Sequence, residues 1–536
     1  MAQPEAGAHD AGTPVDGAVE QPVAGGPAGL PVSWRALCAT ATVAGVATMG
    51  MEMAASRLLA PAFGTSQLVW ANLIGTILLA LTVGYRVGGA LADRRPGAGG
   101  LYGSMLGAGL LALALPFAGR WAIGMLGAGI TATPLSVILL SLLAVLLVIA
   151  PPVFLLAFAT PFALRLGVAA RPAAMSGRVV GSLEAWATAG SIFGTFVPAF
   201  VTIPFLGTDQ TLVGLGALLI VTGALGLRRR WWLGALVLPL VVGVLTSGVV
   251  RPQPGLLFEA QSPYQFVQVV RHGRMTMLEV NDGGGVQSVW RQGSDLTGLY
   301  YDAYMLLPAL RGGVRRRVLV IGAGGGTILR QYHDVLSRRY HLALTGVEID
   351  PVVASLASRY FGLSPALAAR IKVDDGRTFL QAAHGPSGQY DIIIVDAYAR
   401  ELYIPYELAT EQFFALARAH LRPGGIIALN VNALSRHSLL LLSIVRTLHA
   451  AFPYTYVARV PGAFNYLVAG SLTPLHASRL QAAGALPALL QPLGSDVAAA
   501  WEADAGAGGW LLTDNRSAID YLTNLELLHG AERGIR

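Results

Sequence analysis

From Trp34 to about Val250, one apolar run after another is long enough to cross a lipid bilayer, and a chain patterned this way has little choice of fold there. Inside hydrocarbon, each backbone N–H and C=O must find its partner within the segment, so these runs read as helices. Spans are expected near residues 34 to 53, 68 to 91, 101 to 119, 134 to 164, 179 to 205, 210 to 227 and 231 to 250. The whole chain agrees: 54% of its 536 residues are hydrophobic, 12% are charged and the mean hydropathy is +0.56, which is not the make-up of a single soluble enzyme.

Polar residues in and around the spans add detail. Glu52, Arg86 and Glu184 fall inside them, and an ionisable side chain is costly in lipid, so these three are expected to face protein or water. A cation path would use such carboxylates; an interhelical ion pair or a side chain snorkelling to a helix end would use them too, and both readings stand. Stretches such as GSLEAWATAGSIFG supply the small residues that let membrane helices approach closely. Arginines cluster after the second span (Arg94, Arg95), around the fourth-to-fifth connection (Arg165, Arg171, Arg178) and after the sixth (Arg228, Arg229, Arg230), which assigns those loops and the N-terminus to the cytoplasm. The net charge of +7 is therefore read as an orientation signal, with no nucleic-acid partner. Cys38, the single cysteine, excludes an intrachain disulfide and a cysteine-rich metal site, and the ten histidines have no HExxH-like spacing, so no metal is expected. Residues 1 to 32 lack apolar periodicity and are expected to form a disordered tail, without the basic start and short apolar core of a signal peptide.

Beyond Val250 the pattern changes. Arg251 to Gly255, RPQPG, reads as a linker. YQFVQVV, MTMLEV and VQSVW alternate as short strands between RHGR and NDGGG turns, a small β-meander. Arg315 to Arg317 read as a solvated edge before the first parallel strand. Val318 to Asp350 then gives a buried strand (VLVI), a turn with Gly322, Gly324, Gly325 and Gly326, a helix from near Thr327 and a second strand closing on Glu348 and Asp350. Such a βαβ unit is a nucleotide platform: the glycines let backbone lie against a ligand, and the acid accepts hydrogen bonds from ribose hydroxyls. Thr327 stands where a dinucleotide fingerprint needs its third glycine, and no GxxxxGK[ST] loop occurs. The remaining G-x-G-x-G is the pattern of proteins that bind S-adenosylmethionine or a derivative.

A helix at 351 to 361, a strand leading to Asp374, Asp375 and Gly376, the strand of QYDIIIVDAY ending at Asp396, and IIALNVN after the LRPGG turn extend the same sheet. Ligands bind outside the carboxyl ends of such strands, where Glu348, Asp375 and Asp396 all fall. Each acid alone serves as a cap or turn residue; three on one rim point to a site. The expected fold is a multi-pass α-helical membrane domain (33–250, about seven spans), a small β-strand domain (251–312) and an α/β Rossmann-like domain of the S-adenosylmethionine-methyltransferase type (313–536).

With these residues in view, the chain resembles the spermidine synthase family, the polyamine aminopropyltransferases, in the form fused to a membrane domain. The likeness covers about 258 to 450 by motif, EMAASRLLAPAFGTS and GYRVGGALADRR in the membrane half, and LLTDNRSAIDYL near the C-terminus. It implies transfer of an aminopropyl group from decarboxylated S-adenosylmethionine, a co-substrate and not a tightly bound cofactor, to an amine such as putrescine, with methylthioadenosine as product. Carried over onto this sequence, Gln265 contacts the thioadenosine, Gly322 and Gly324 form the loop beneath it, Glu348 takes the ribose, Asp375 and Gly376 hold the adenine, and Asp396 accepts the proton. Tyr301 and Asp302 are candidates for the amine side.

The chain departs from the family pattern on that side. Soluble members carry aspartate where Gly325 stands, a second aspartate where Ala399 stands, and Tyr-His-Glu where Tyr300, Tyr301 and Asp302 stand. The nucleoside half thus reads as intact and the amine half as altered, with Glu401, Glu407 or Asp302 as substitutes. Two other functions use the same features: a methyltransferase on the same nucleoside site, and a polyamine or cation transporter whose soluble domain senses a thioadenosine ligand. Expected surroundings are the cell membrane, crossed several times, with the bilayer and a small-molecule amine as partners and self-association left open. An odd seventh span would place everything after Arg251 outside, away from a donor made inside cells, so either a span is miscounted or Trp231 to Val250 is re-entrant.

Overall fold

The computed structural model describes residues 32–63, 67–127, 134–227, 232–246, 248–281, 285–382, 389–398, 403–462 and 464–532. The expected tail thus lies outside them, apart from Val32. The N-terminal half is helical, with α1 (Trp34–Phe63), α2 (Gln67–Arg94) and α3 (Ala98–Gly127). The fourth span is a composite of α4 (Pro134–Ala144), a π-helical turn (Val145–Ile149), α5 (Ala150–Leu156) and α6 (Ala159–Ala169). Pro151 and Pro152 lack the N–H groups that the regular ladder needs, and the wider turn sits just ahead of them. Pro204 stands in the same relation to a second π-helical turn (Pro198–Thr202) between α7 (Ser176–Val197) and α8 (Ile203–Leu206), and α9 (Thr208–Gly226) and α10 (Trp232–Thr246) complete the bundle.

Among the described residues, six helical stretches are long and apolar enough to cross a membrane, the last being Thr208–Gly226. The seventh expected span, placed at 231 to 250, is instead the 15-residue α10, about 22 Å long at 1.5 Å per residue. Gln210 at the start of α9 donates to the Gly243 carbonyl near the end of α10 at 2.7 Å, so the two helices run antiparallel side by side.

α1 and α7 meet backbone to backbone. A Cβ at Gly190 or Gly194 would collide with the carbonyls of Thr42 or Val46, so only glycine permits the approach. One end of the bundle collects Arg35, Arg94, Arg95, Arg165, Arg171 and Arg178; there Arg165 pairs with Asp93 at 3.4 Å and Arg171 lies 3.9 Å over the Trp34 ring. The opposite end meets the soluble half. Arg57 donates to the Pro263 carbonyl, and the Thr208 amide donates to Gln261 at 3.0 Å. Arg86 and Glu184, expected to face protein or water, lie exposed on the outer surface of α2 and α7. Each is eight residues, about 12 Å, from the arginine-bearing end of its helix.

The soluble half opens with an antiparallel meander, β1 (Leu256–Gln261), β2 (Phe266–His272), β3 (Met275–Val280) and β4 (Val286–Arg291), followed by the short α11 (Tyr301–Tyr304). The large sheet then forms from β5 (Arg315–Ile321), α12 (Thr327–Gln331), β6 (His341–Glu348), α13 (Pro351–Tyr360), α14 (Pro365–Ala368), β7 (Ile371–Val373), α15 (Gly376–Ala382), β8 (Tyr390–Val395), α16 (Glu411–Ala419) and β9 (Leu421–Asn432). α17 (Leu439–Ala451), β10 (Tyr454–Arg459), β11 (Asn465–Ser471), α18 (Ser478–Gln481), α19 (Gln491–Ala499), β12 (Glu502–Ala503) and α20 (Ile519–Glu532) follow. Strand order is β12-β10-β11-β9-β8-β5-β6-β7, parallel from β9 to β7 and antiparallel beyond β9.

β5 and β8 are central and covered on both faces, which is why VLVI and III are continuous apolar runs without alternation. Arg315 to Arg317 are not a solvated edge but the first residues of β5. Arg316 is 2% exposed, its guanidinium donating to the carbonyls of Pro308 and Arg311. The meander lies directly over the glycine turn: the Val289 amide donates to the Thr327 hydroxyl at 2.9 Å and the hydroxyl returns the bond to the Val289 carbonyl at 3.0 Å.

The glycine seam predicts a contrast within α7. Gly181 has open space where a Cβ would go, whereas Gly190 has the Thr42 backbone. Gly190→Ala is expected to lower stability by about 1–3 kcal/mol through overpacking, while Gly181→Ala is neutral or mildly stabilising. Thermal unfolding of the full chain in detergent checks this; equal melting of the two variants would contradict the seam.

Candidate active site

The strand order lines up the carboxyl ends of β7, β6, β5 and β8, neighbours about 4.8 Å apart. A cavity of about 410 Å³ lies over them, lined by Gln265, Gly322, Gly324, Glu348, Asp375, Gly376 and Asp396, with Asp374, Glu407 and Asp520 as further acids. Every nucleoside-side residue expected from the sequence thus falls on one surface.

The glycine turn makes that surface possible. Gly322 and Gly324 have φ of +80° and +54°, the left-handed region that other residues avoid. A Cβ on Gly322 would also press into Ala397. The Gly324 amide donates to Glu348 Oε2 at 2.8 Å and the Asp350 amide to Oε1 at 3.0 Å, so the acid at the end of β6 ties the turn to its own strand. A carboxylate offers about four lone-pair directions, which leaves acceptor capacity for ribose hydroxyls. Burial pushes Glu348 up to about 7, and the same two amides hold it back.

Gln265 reaches the rim from the Ser262–Gln265 turn. Ser262 Oγ accepts from the Gln265 amide at 3.0 Å and donates to Asp350 at 2.6 Å, while Gln265 Nε2 donates to the same Asp350 oxygen at 3.3 Å. Asp350 in turn caps α13 through the Val352 amide at 2.9 Å. At the end of β7, Asp375 accepts from the Thr378 amide at 2.8 Å as α15 begins. Gly376 is required for packing as well as for the rim, because a Cβ there would collide with Ile321.

Asp396 follows β8 and is buried, its amide bonded to the Ile321 carbonyl at 2.9 Å. The Tyr304 hydroxyl donates to Oδ1 at 3.2 Å and the Tyr300 hydroxyl to Oδ2 at 3.3 Å. Burial raises this carboxyl to about 7, and the two hydroxyls oppose the rise by favouring the ionised form. Sequence reasoning names Tyr300 only as a departure and overlooks Tyr304; the four-residue spacing in YYDAY, one helical turn, is the signal that both reach one point. Asp374 and Asp520 carry no local signal of that kind.

Tyr301 and Asp302 do not reach the cavity. Tyr301 donates to the Val286 carbonyl at 2.8 Å, and Asp302 accepts from the amides of Thr297 at 2.9 Å and Gly298 at 2.8 Å and from Gln331. They fold the turn that carries Tyr300 and Tyr304. At Gly325 a side chain would run into the Phe361 ring, and the Gly325 amide donates to Ser288 at 2.7 Å, so a carboxylate has no room there. Ala399 and Glu401 lie outside the described residues. Glu407 lines the cavity beside α15, its backbone carbonyl accepting from Arg377 at 3.3 Å.

Residues 299–472 match the spermine/spermidine synthase domain family. The chain is 37% identical over 208 residues to a probable polyamine aminopropyl transferase of Bifidobacterium longum, a match that covers 38% of this chain and 44% of that one. It is 29% identical over 282 residues to a polyamine aminopropyltransferase of Vibrio vulnificus, covering 50% and 92%. The chain therefore spans less than half the length of the first relative and most of the second. Among solved structures, a probable spermidine synthase from Corynebacterium glutamicum aligns at a TM-score of 0.38 with 20% identity, over 50% of this chain and 98% of that one.

The buried carboxyl at 396 makes stability depend on pH in a known direction. Folded, it holds its proton to about pH 7; an exposed aspartate releases it near pH 3.9. Its contribution to stability is thus fully present below about pH 4 and lost as pH rises through about 7. Asp396→Asn is expected to raise the melting temperature of the full chain more at pH 8 than at pH 5. The same shift at both values would contradict a buried, proton-retaining acid.

Proposed function

Because residues 299–472 match the spermine/spermidine synthase domain family, we propose that this chain is a membrane-anchored transferase that moves an aminopropyl group from decarboxylated S-adenosylmethionine to a small amine. The observation that carries this reading is the position of Asp396. It stands between the glycine turn and the far wall of the cavity, buried and held on both oxygens by tyrosine hydroxyls.

In this reading Glu348 accepts the ribose hydroxyls, and Gln265, Asp374 and Asp375 border the adenine and thioether parts. The sulfonium then lies near Asp396, and its positive charge lowers the pKa of the carboxyl, so the group ionises at neutral pH when the donor is bound. A neutral amine nitrogen attacks the methylene carbon attached to sulfur. The C–N bond forms as the C–S bond breaks, its electron pair returns to sulfur to give methylthioadenosine, and the proton lost from nitrogen passes to Asp396. Holding both reactants in line supplies most of the advantage, and a positioned base adds about 10² to 10⁴.

The test is turnover of the full chain in detergent with decarboxylated S-adenosylmethionine and a panel of amines, with S-adenosylmethionine as the control donor. Expected is methylthioadenosine release that depends on an amine. Asp396→Asn is expected to lower kcat by about 10² to 10⁴ while methylthioadenosine still binds, and Glu348→Gln is expected to weaken that binding through loss of a charged acceptor. Methyl transfer from S-adenosylmethionine, or a loss in Asp396→Asn no larger than its loss of binding, would overturn the reading.

The bundle supports a reading of where this enzyme sits and which side it faces. The six long helical stretches are read as spans of the cell membrane, each running opposite to the one before, with α10 packed antiparallel to α9. Arginine gathers at one end, and positive charge marks the cytoplasmic face, so the soluble half on the opposite end faces away from the cytoplasm. A fusion after Arg536 is expected to be active with alkaline phosphatase and dark with green fluorescent protein in a bacterial host. The converse pattern would place the catalytic half in the cytoplasm.

A further inference from the structure

The turn that brings Gln265 to the cavity is built by the soluble half and clasped by the membrane half. Within it, Ser262 Oγ accepts from the amides of Tyr264 at 3.1 Å and Gln265 at 3.0 Å, and the Ser262 amide donates to the Gln265 carbonyl at 2.9 Å. On its inner side Ser262 and Gln265 both bond to Asp350, whose own amide holds Glu348 at 3.0 Å. On the bundle side, the residues before and after Ser262 are each taken by a different helix. Thr208, the first residue of α9, donates its amide to Gln261 Oε1 at 3.0 Å and its hydroxyl to the same oxygen. Arg57, near the end of α1, donates its guanidinium to the Pro263 carbonyl. Pro263 and Tyr264 are exposed, so the turn is kept in place by hydrogen bonds more than by buried surface, and such a segment opens easily when they are removed.

We infer that Arg57 is a positioning residue for the donor: through the Pro263 carbonyl, and together with Thr208 on Gln261, the membrane bundle fixes the turn so that Gln265 faces the nucleoside. The inference rests on the reading of the cavity as the donor site. Gln265 Nε2 meets Asp350 at 3.3 Å, a long bond, so the backbone of the turn decides where the side-chain amide points. A ligand binds with full affinity only to the fraction of molecules whose site is already competent. A turn released from one of its two clasps spends part of its time elsewhere, and affinity for the nucleoside falls in proportion. The bond from a guanidinium to a carbonyl is charge-assisted and stronger than one between neutral groups. Arg57 lies within EMAASRLLAPAFGTS, a segment to which the transfer chemistry assigns nothing. An arginine near the end of a membrane helix also snorkels towards the interface, so the test must separate support of the turn from support of α1.

Full-length parent, Arg57→Ala, Arg57→Lys, Gln265→Ala and the double variant of Arg57→Ala with Gln265→Ala are compared in detergent by calorimetry with methylthioadenosine, by steady-state transfer to putrescine and by thermal unfolding. Arg57→Ala is expected to weaken methylthioadenosine binding about 3- to 10-fold and to raise KM for decarboxylated S-adenosylmethionine alike, with KM for putrescine unmoved. Arg57→Lys keeps a cationic donor and is expected to recover part of the affinity. With Gln265→Ala already in place, the change at 57 is expected to weaken binding by less than about 2-fold, because the side chain it positions is gone. Gln261→Ala removes the acceptor of Thr208 without altering a membrane helix and is expected to show the same split between the two KM values; should Arg57→Ala fail to fold, this variant decides by the same readouts. A lower melting temperature with unchanged affinity, an equal loss with and without Gln265, or equal rises in both KM values would overturn the inference in favour of a role in holding α1. If the parent binds methylthioadenosine and transfers nothing to any amine, the function proposed above fails while the binding comparison still decides this inference: weaker binding in Arg57→Ala that depends on Gln265 supports it, and unchanged binding overturns it. A parent that does not bind methylthioadenosine would overturn both.

Discussion

Parallel pairing of β8 with β5 on one side and β9 on the other fixes where Asp396 stands, and the site is arranged around that carboxylate. The strand leading to it is buried throughout, so the acid emerges from apolar surroundings, where two tyrosine hydroxyls donate to it. Such a group resists ionisation until a cation approaches, which is the condition under which a base beside a sulfonium is needed. Glu348 lives under a different rule. It too is buried, but backbone amides of the glycine turn and of Asp350 hold its oxygens, so it is a fixed acceptor. Two carboxyls with similar burial thus take different parts because one is gripped by backbone and the other by hydroxyls.

The membrane half is joined to this geometry at short range. The turn that presents Gln265 is bonded to Asp350 on one side, and its Pro263 carbonyl takes the Arg57 guanidinium from the end of α1 on the other. α20 also packs against α4.

The sequence makes the periodic and terminal features legible. Apolar runs locate six long helices, and VLVIGAGGG, GVEID and IIIVD locate three strand ends because buried parallel strands are uninterrupted and their exits carry glycine or acid. What stays hidden depends on distant pairing. Arg316 looks solvated in a run of three arginines, yet the carbonyls of Pro308 and Arg311 receive it inside the fold. Asp302 looks like a substitute amine ligand, yet donors from Thr297, Gly298 and Gln331 consume it. Asp520 lies more than 120 residues from Asp396 on a helix with no catalytic motif, yet both line the same cavity. The shortness of α10 and the placing of Arg86 and Glu184 on the outer surface likewise follow from packing, which no single segment states.

The central claim, that one row of strand-end acids orders donor and acceptor along the cavity, is tested most directly by a structure of the full chain with methylthioadenosine and putrescine bound together. The account predicts the ribose on Glu348, the adenine toward Asp375, the sulfur near Asp396, and the attacking nitrogen of the diamine beside Asp396. A nucleoside lying in the opposite sense, or a diamine bound away from Asp396, would contradict it.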